Sequence, residues 1–147
     1  MTRSLVLAGL LVAIPGAALA AGPILIHRDP GCGCCEKWAG QAGQALRRPV
    51  KMLDDGNRAA FRRARGVPAG VNSCHTAVVD GLVIEGHVPL ADVRRVLAER
   101  PKGVAGLAVA GMPLGSPGME VPQHQVERFN VIAFGPGGNR VFARHGG

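Results

Sequence analysis

Three of the four cysteines in this 147-residue chain stand in one run, Cys32-Gly33-Cys34-Cys35. Thiolates at that spacing either converge on one soft metal ion or exchange electrons as a dithiol. The run contains a C-x-x-C (Cys32 and Cys35), a C-x-C (Cys32 and Cys34) and a vicinal pair (Cys34 and Cys35). The fourth cysteine, Cys74, lies far along the chain and is followed by His75. The fold must therefore accommodate a sulfur-rich turn, and its purpose is to be sought in sulfur chemistry.

The N-terminus reads as an export signal. Arg3 supplies a short positive start, Leu5 to Ile14 is almost wholly apolar, and Ala18-Leu19-Ala20 fits a small-x-small cleavage site. The apolar stretch is short for a membrane span, and Pro15-Gly16 interrupts it. Residues 1–20 are thus expected to be removed. Residues 21–147 then form one periplasmic domain with no membrane span.

Export places the cysteines in an oxidising compartment, where four of them would ordinarily suggest two disulfides. Their clustering argues against that framework, because short loops gain little from closure. A bond between adjacent Cys34 and Cys35 would lie far from favoured disulfide geometry. The formal charge of +7, from 17 basic against 10 acidic residues, raises the possibility of nucleic acid. However, the pairs Arg47-Arg48, Arg62-Arg63 and Arg94-Arg95 lack interleaved aromatics, and the chain has no tyrosine and one tryptophan. A base-stacking surface is poorly supplied, so these pairs read as solvated helix faces. A positive protein also does not attract cations at long range, so any metal must be held by local thiolates.

Periodicity gives an α/β order. Pro23 to His27 reads as a strand, and a helix carrying Cys35, Trp38, Ala39, Ala42, Ala45 and Leu46 follows, ended by Pro49. Val50 to Leu53 is a second strand and Ala59 to Arg65 a short basic helix. Cys74 to Val79 and Leu82 to Val88 form a hairpin about Asp80-Gly81, and Leu90, Val93, Val96 and Leu97 mark a third helix. This is the thioredoxin arrangement, a mixed sheet flanked by helices. From Gly103 to Pro122 the chain is rich in glycine and proline and reads as a long ordered loop. Phe129 to Phe134 and Arg140 to Ala143 add a C-terminal hairpin.

The cysteine run occupies the slot between first strand and first helix where a thioredoxin-type C-x-x-C sits, favoured by helix N-terminal amides. A thiol–disulfide oxidoreductase would use Cys32 as nucleophile and Cys35 as resolving thiol. Cys34 adds a third thiol that such an enzyme does not need, and soft thiolates select Cu(I), zinc or iron–sulfur centres. Zinc through Cys32, Cys35, Cys74 and His75 would make a zinc-stabilised interaction module. Yet adjacent ligands rarely point at one tetrahedral ion, and multinuclear Cu(I) tolerates such crowding better. An iron–sulfur cluster fits poorly with export.

Several longer motifs point the same way. Cys32-Gly33-Cys34-Cys35 with Trp38, Ser73-Cys74-His75-Thr76-Ala77, Ile84-Glu85-Gly86-His87-Val88-Pro89, Gly111-Met112-Pro113 and Gly115-Ser116-Pro117-Gly118-Met119-Glu120 together resemble the domain-of-unknown-function 411 family. That family includes the exported CopG-type copper-resistance proteins. The resemblance spans about Ile24 to Phe142 and departs from the family at Ala110 and Val121. It implies a periplasmic thioredoxin-like domain whose cysteines bind copper as a thiolate-bridged Cu(I) cluster, with a redox role in copper handling. Other periplasmic copper-handling proteins are its implied partners. Cys32, Cys34, Cys35 and Cys74 match the family's cysteines, and His75, His87, Met112 and Met119 its other recurrent positions.

Blander roles stand beside these. Cys74 suits a buried small hydrophobe, and Met112 and Met119 suit loop packing, although thioethers also ligate Cu(I). His75 reads equally as ligand or hydrogen-bonded strand residue. His87 reads as structural, Trp38 as core or a lid over the sulfurs, and His27 and His124 have no partner visible in sequence.

Overall fold

The computed structural model describes residues 22–146, so the expected signal at residues 1–20 lies outside the described residues. Seven strands and three helices follow in the order β1 (Ile24–Arg28), α1 (Gly33–Leu46), β2 (Val50–Asp54), α2 (Arg58–Ala64), β3 (His75–Val79), β4 (Leu82–Glu85), α3 (Leu90–Glu99), β5 (Gly106–Ala108), β6 (Phe129–Phe134) and β7 (Arg140–His145). The expected mixed sheet flanked by helices is present. All strands join one sheet in the order β2-β1-β3-β4-β5-β6-β7, parallel at β1–β2 and β4–β5 and antiparallel elsewhere.

The main core lies between the sheet and helices α1 and α3. Helix α1 turns Cys35, Trp38, Ala39 and Ala42 inward at helical spacing, and α3 turns Val93 and Val96. They meet Ile24, Ile26, Ala77, Val79, Ile84, Leu107, Val131 and Ala133 from alternate strand positions. Helix α1 ends before Pro49. Arg47 takes the left-handed conformation (φ 52°) and closes the last turn on the Gln44 carbonyl. A smaller cluster of Val67, Val83, Ala108 and Phe134 covers part of the opposite face.

One expectation needs correction. The segment from Gly103 to Pro122 is not all loop, because Gly106–Ala108 forms β5, an interior strand between β4 and β6. Its glycine is a packing requirement. A Cβ at Gly106 would collide with the Val83 carbonyl and come within 2.6 Å of the Phe134 ring. The C-terminal hairpin is accordingly continuous with the sheet through β5. Of the basic pairs, Arg47, Arg63, Arg94 and Arg95 are exposed as expected, and some of the arginines also bond or stack on the fold. Arg62 bonds the Ser73 carbonyl at 3.0 Å, Arg94 bonds the Ala45 carbonyl at 2.6 Å, and Arg95 lies 3.9 Å from the Phe142 ring centre.

Candidate sulfur site

Strand pairing brings the two cysteine-bearing segments together. Antiparallel register sets Arg28, the last residue of β1, opposite His75, the first of β3. Cys74 precedes β3, so it lies level with the turn that leaves β1. That turn is tied to it directly, since the Asp29 amide donates to the Cys74 carbonyl at 3.0 Å. Cys32 then caps α1, its carbonyl accepting from the Glu36 amide at 3.3 Å, and Cys34 and Cys35 occupy the first turn.

The four sulfurs lie within 4.8 Å of one another. Cys32 and Cys35 are joined by a disulfide, while Cys34 and Cys74 are free thiols. Cys34 Sγ is 3.4 Å from Cys32 Sγ and 4.0 Å from Cys74 Sγ, and Cys74 Sγ is 3.3 Å from Cys35 Sγ. Cys35 and Cys74 are buried, whereas Cys32 and Cys34 are half-buried. Burial, reinforced by Cys34, pushes the Cys74 thiol up to about 12.

Two histidines wall the buried side. His87 Nδ1 is 2.8 Å from the Pro117 carbonyl, which can only accept, so Nδ1 carries the hydrogen and Nε2 is left as an acceptor. That Nε2 is 3.1 Å from Cys74 Sγ, which donates to it. His75 Nδ1 is 3.6 Å from the same sulfur, and its buried Nε2 has no hydrogen-bond partner. Trp38 packs against His75 with ring centres 4.6 Å apart and donates to the Val88 carbonyl at 3.0 Å. It is thus core and wall at once.

The segment from Gly111 to Glu120 forms the remaining side. Ser73 Oγ donates to the Gly111 carbonyl at 2.5 Å, and Met112 Sδ lies 3.8 Å from Cys34 Sγ. Gly118, at φ +84°, rests on the start of α1, where a Cβ would come within 2.7 Å of the Cys34 carbonyl. Glu120 fastens the segment by accepting from Gln41 and from the Gly118 amide, each at 2.6 Å. Met119 is held by its backbone, and among the described residues its thioether accepts no hydrogen bond from a cysteine.

Beneath the sulfurs runs a charged network that periodicity did not reveal. Arg58, 5% exposed, bonds Asp29 Oδ1 at 2.7 Å, Asp29 Oδ2 at 3.1 Å, the Ser73 carbonyl, and Glu85 Oε1 at 3.4 Å. Glu85 also accepts from the Ser73 amide at 2.8 Å and from Thr76 Oγ1 at 2.5 Å. One guanidinium therefore grips a residue just before each cysteine segment. The remaining histidines stand apart from the sulfurs. His27 pairs with Asp55 at 2.8 Å and stacks on Phe61, and exposed His124 lies near Gln125.

The buried imidazoles are expected to make the domain acid-sensitive. Burial, with help from His87 and Arg58, lowers the His75 pKa from 6.5 to about 3, and burial also lowers that of His87. A depressed folded pKa means that the unfolded chain binds more protons between the two values. Stability is then full above the unfolded pKa and falls as pH drops toward the folded one. His75 alone is expected to remove roughly 2 kcal/mol between pH 7 and pH 5. Urea unfolding of the metal-free oxidised protein at both pH values checks this. Equal stability at the two would contradict it, and His75→Phe should flatten the difference.

Comparison with known proteins follows the same geometry. The family described as "Protein of unknown function, DUF411" matches residues 71–119, which include Cys74, His75, His87, Met112 and Met119 but not the 32–35 run. A solved structure described as copper resistance protein CopG, form 1, shares 36% identity, covering 86% of this chain and 99% of that chain with a TM-score of 0.77. The chain belongs to the DUF411, CopG-type copper-resistance family. The CopG form 2 structure is also 36% identical, covering 84% of this chain and 97% of that one with a TM-score of 0.75. No curated protein matches the sequence. Membership in the CopG-type family fits a site built from two distant segments, since the structural match spans both.

Proposed function

We propose that this is an exported, periplasmic copper-binding protein. It holds Cu(I) through Cys32, Cys34, Cys35 and Cys74 once the Cys32–Cys35 bridge is reduced, and serves copper tolerance or trafficking. The observation that carries this reading is the meeting of four sulfurs from two separate segments within 4.8 Å. Copper is the cargo. Thiolates and thioethers are the donors that select Cu(I), and Met112 stands beside Cys34 as an added sulfur. His75 and His87 are lesser candidates. Burial holds both toward the neutral form that a metal requires, and the orphaned Nε2 of His75 leaves that ring short of a partner. Four thiols this close exceed the needs of one low-coordinate ion, so bridged ions are expected. The family's solved relatives are described as copper resistance proteins. The signal expected from the sequence of residues 1–20 supports export, and among the described residues no helix is long and apolar enough to cross a membrane. Other periplasmic copper-handling proteins are the fitting source and destination of the ion.

A second reading has its own observation, the Cys32–Cys35 disulfide at the start of α1. This is the pairing that a thioredoxin-type oxidoreductase uses, with half-buried Cys32 open to attack and buried Cys35 resolving. The two readings join if oxidation of this pair withdraws two ligands and releases copper.

Anaerobic titration against a competing Cu(I) chelator tests the proposal. The reduced protein is expected to bind more than one Cu(I) and the oxidised protein to lose that binding. A single weakly held ion, or none, overturns it. Cys34→Pro separates the readings. It should abolish tight copper binding while leaving the Cys32–Cys35 couple able to reduce a disulfide substrate.

A further inference from the structure

We infer that two copies of this domain associate through β2, one edge of the sheet, in antiparallel register about Leu53. The inference is independent of copper and of the disulfide. The two edges of the sheet are unlike. β7 is blunted, because its register slips at Phe142 and it carries exposed Arg140 and Arg144. β2 is regular. All five of its residues pair in unbroken register with β1, and its Leu53 is 49% exposed.

The backbone of β2 has groups to offer. The Asp55 amide donates to the Arg28 carbonyl at 2.9 Å, and a parallel ladder repeats at every second residue. Lys51 and Leu53 therefore also bond toward β1, while the amides and carbonyls of Met52 and Asp54 point away from the sheet. Among the described residues nothing bonds those outward groups. The side chains alternate as well. Val50 and Met52 pack on the main core beside α1, so Lys51 and Leu53 stand on the other face. Asp55 reaches His27 on that same face.

Pairing about Leu53 is self-complementary. Met52 of each copy exchanges both backbone bonds with Asp54 of the other. Leu53 meets its own equivalent as a non-hydrogen-bonded pair, the closer kind, with Cα atoms about 4.5 Å apart. Lys51 falls opposite Asp55 of the second copy, and the two-fold axis repeats that contact. Lys51 has no ion pair among the described residues, and the Asp55 side chain is 22% exposed. A register about Met52 would instead set Lys51 against Leu53 and match no charge. To an unrelated strand an edge lysine is a deterrent, whereas the same edge of a second copy neutralises it. The axis is normal to the sheet, so α1 of the second copy arrives on the side of the groove lined by Ala39, Gly40, Gly43, Val50 and Met52. The small residues there leave it room. The result is one continuous sheet of twice seven strands.

The test uses metal-free exported protein in a Cys34→Ser background, which leaves buried Cys74 as the free thiol. Sedimentation equilibrium up to about 100 μM is expected to show a reversible rise to the mass of two copies. Leu53→Lys sets like charges on the axis and should weaken association roughly tenfold or more. Lys51→Asp should weaken it in the same direction, less so at high salt. Both positions are exposed, so circular dichroism should not change. Leu53→Cys should link two copies on mild oxidation, and Lys51→Cys should not, since its equivalent lies about 13 Å away along the strand. A monomer over the whole range overturns the second copy as occupant and leaves the edge to a strand of another protein. A dimer untouched by Leu53→Lys overturns this face. Equal linking through Lys51→Cys overturns the register.

Discussion

Replacing Cys74 with serine is expected to lower Cu(I) affinity by roughly a hundredfold or more, while the domain stays folded. Serine is nearly the size of cysteine, and its hydroxyl can still donate to His87 Nε2, so the buried pocket remains filled and satisfied. What is lost is the soft ligand that links the strand side of the site to the helix side. A hydroxyl is a poor donor to Cu(I), and the three sulfurs that remain all belong to the 32–35 turn. Competition with a Cu(I) chelator reads the affinity, and a urea titration reads the fold. Affinity within about threefold of wild type, less than half of the 1.4 kcal/mol that a tenfold change represents, would restrict the copper site to the 32–35 turn.

The position of Cys74 was legible in the sequence only in outline. In a thioredoxin arrangement the segment before the third strand packs beside the redox loop, which puts Cys74 near the 32–35 run, but the register that sets Arg28 opposite His75 is a property of the sheet. Elements with strong periodicity, such as α1, α3 and the hairpin around Asp80-Gly81, were readable because a buried face repeats at fixed spacing. β5 was hidden because the strand is only three residues long and opens on Gly106, which resembles a loop glycine until its neighbours are known. His87 gave no sign of contact with Cys74 beyond its place in the family motif. Its role depends on Pro117, 30 residues away, fixing its tautomer. Arg58 was hidden for a related reason. A basic residue on a short helix reads as solvated unless its acidic partner can be seen, and Glu85 sat in a strand that otherwise looked apolar.

Arg58→Met is expected to cost about 3–5 kcal/mol of stability, since it strands a fully buried carboxylate. Glu85 has no exposed surface, and burial raises its pKa against the pull of Thr76, the Ser73 amide, Arg58 and Arg62. Methionine fills the volume but removes the bonds to Asp29, the Ser73 carbonyl and Glu85. Arg62, 3.6 Å from Glu85, is then the remaining cation, which favours the lower end of the range. The charge account has a signature that lost packing does not. Without Arg58 the folded pKa of Glu85 rises further, so the folded protein binds a proton more readily than the unfolded chain. A raised folded pKa contributes stability at low pH that is lost as pH rises through it. The deficit of Arg58→Met relative to wild type should therefore shrink from pH 7 to pH 5, although both proteins lose stability there through His75. Adding Glu85→Gln should recover about 1 kcal/mol or more at pH 7, because the amide oxygen still accepts from the Ser73 amide and the NH2 can donate to Thr76 Oγ1, without a charge to bury. Urea unfolding of the single and double variants at both pH values measures all three quantities. A deficit that does not change with pH, together with no recovery in the double variant, would show that Arg58 acts by tethering Asp29 and Ser73 rather than by neutralising Glu85.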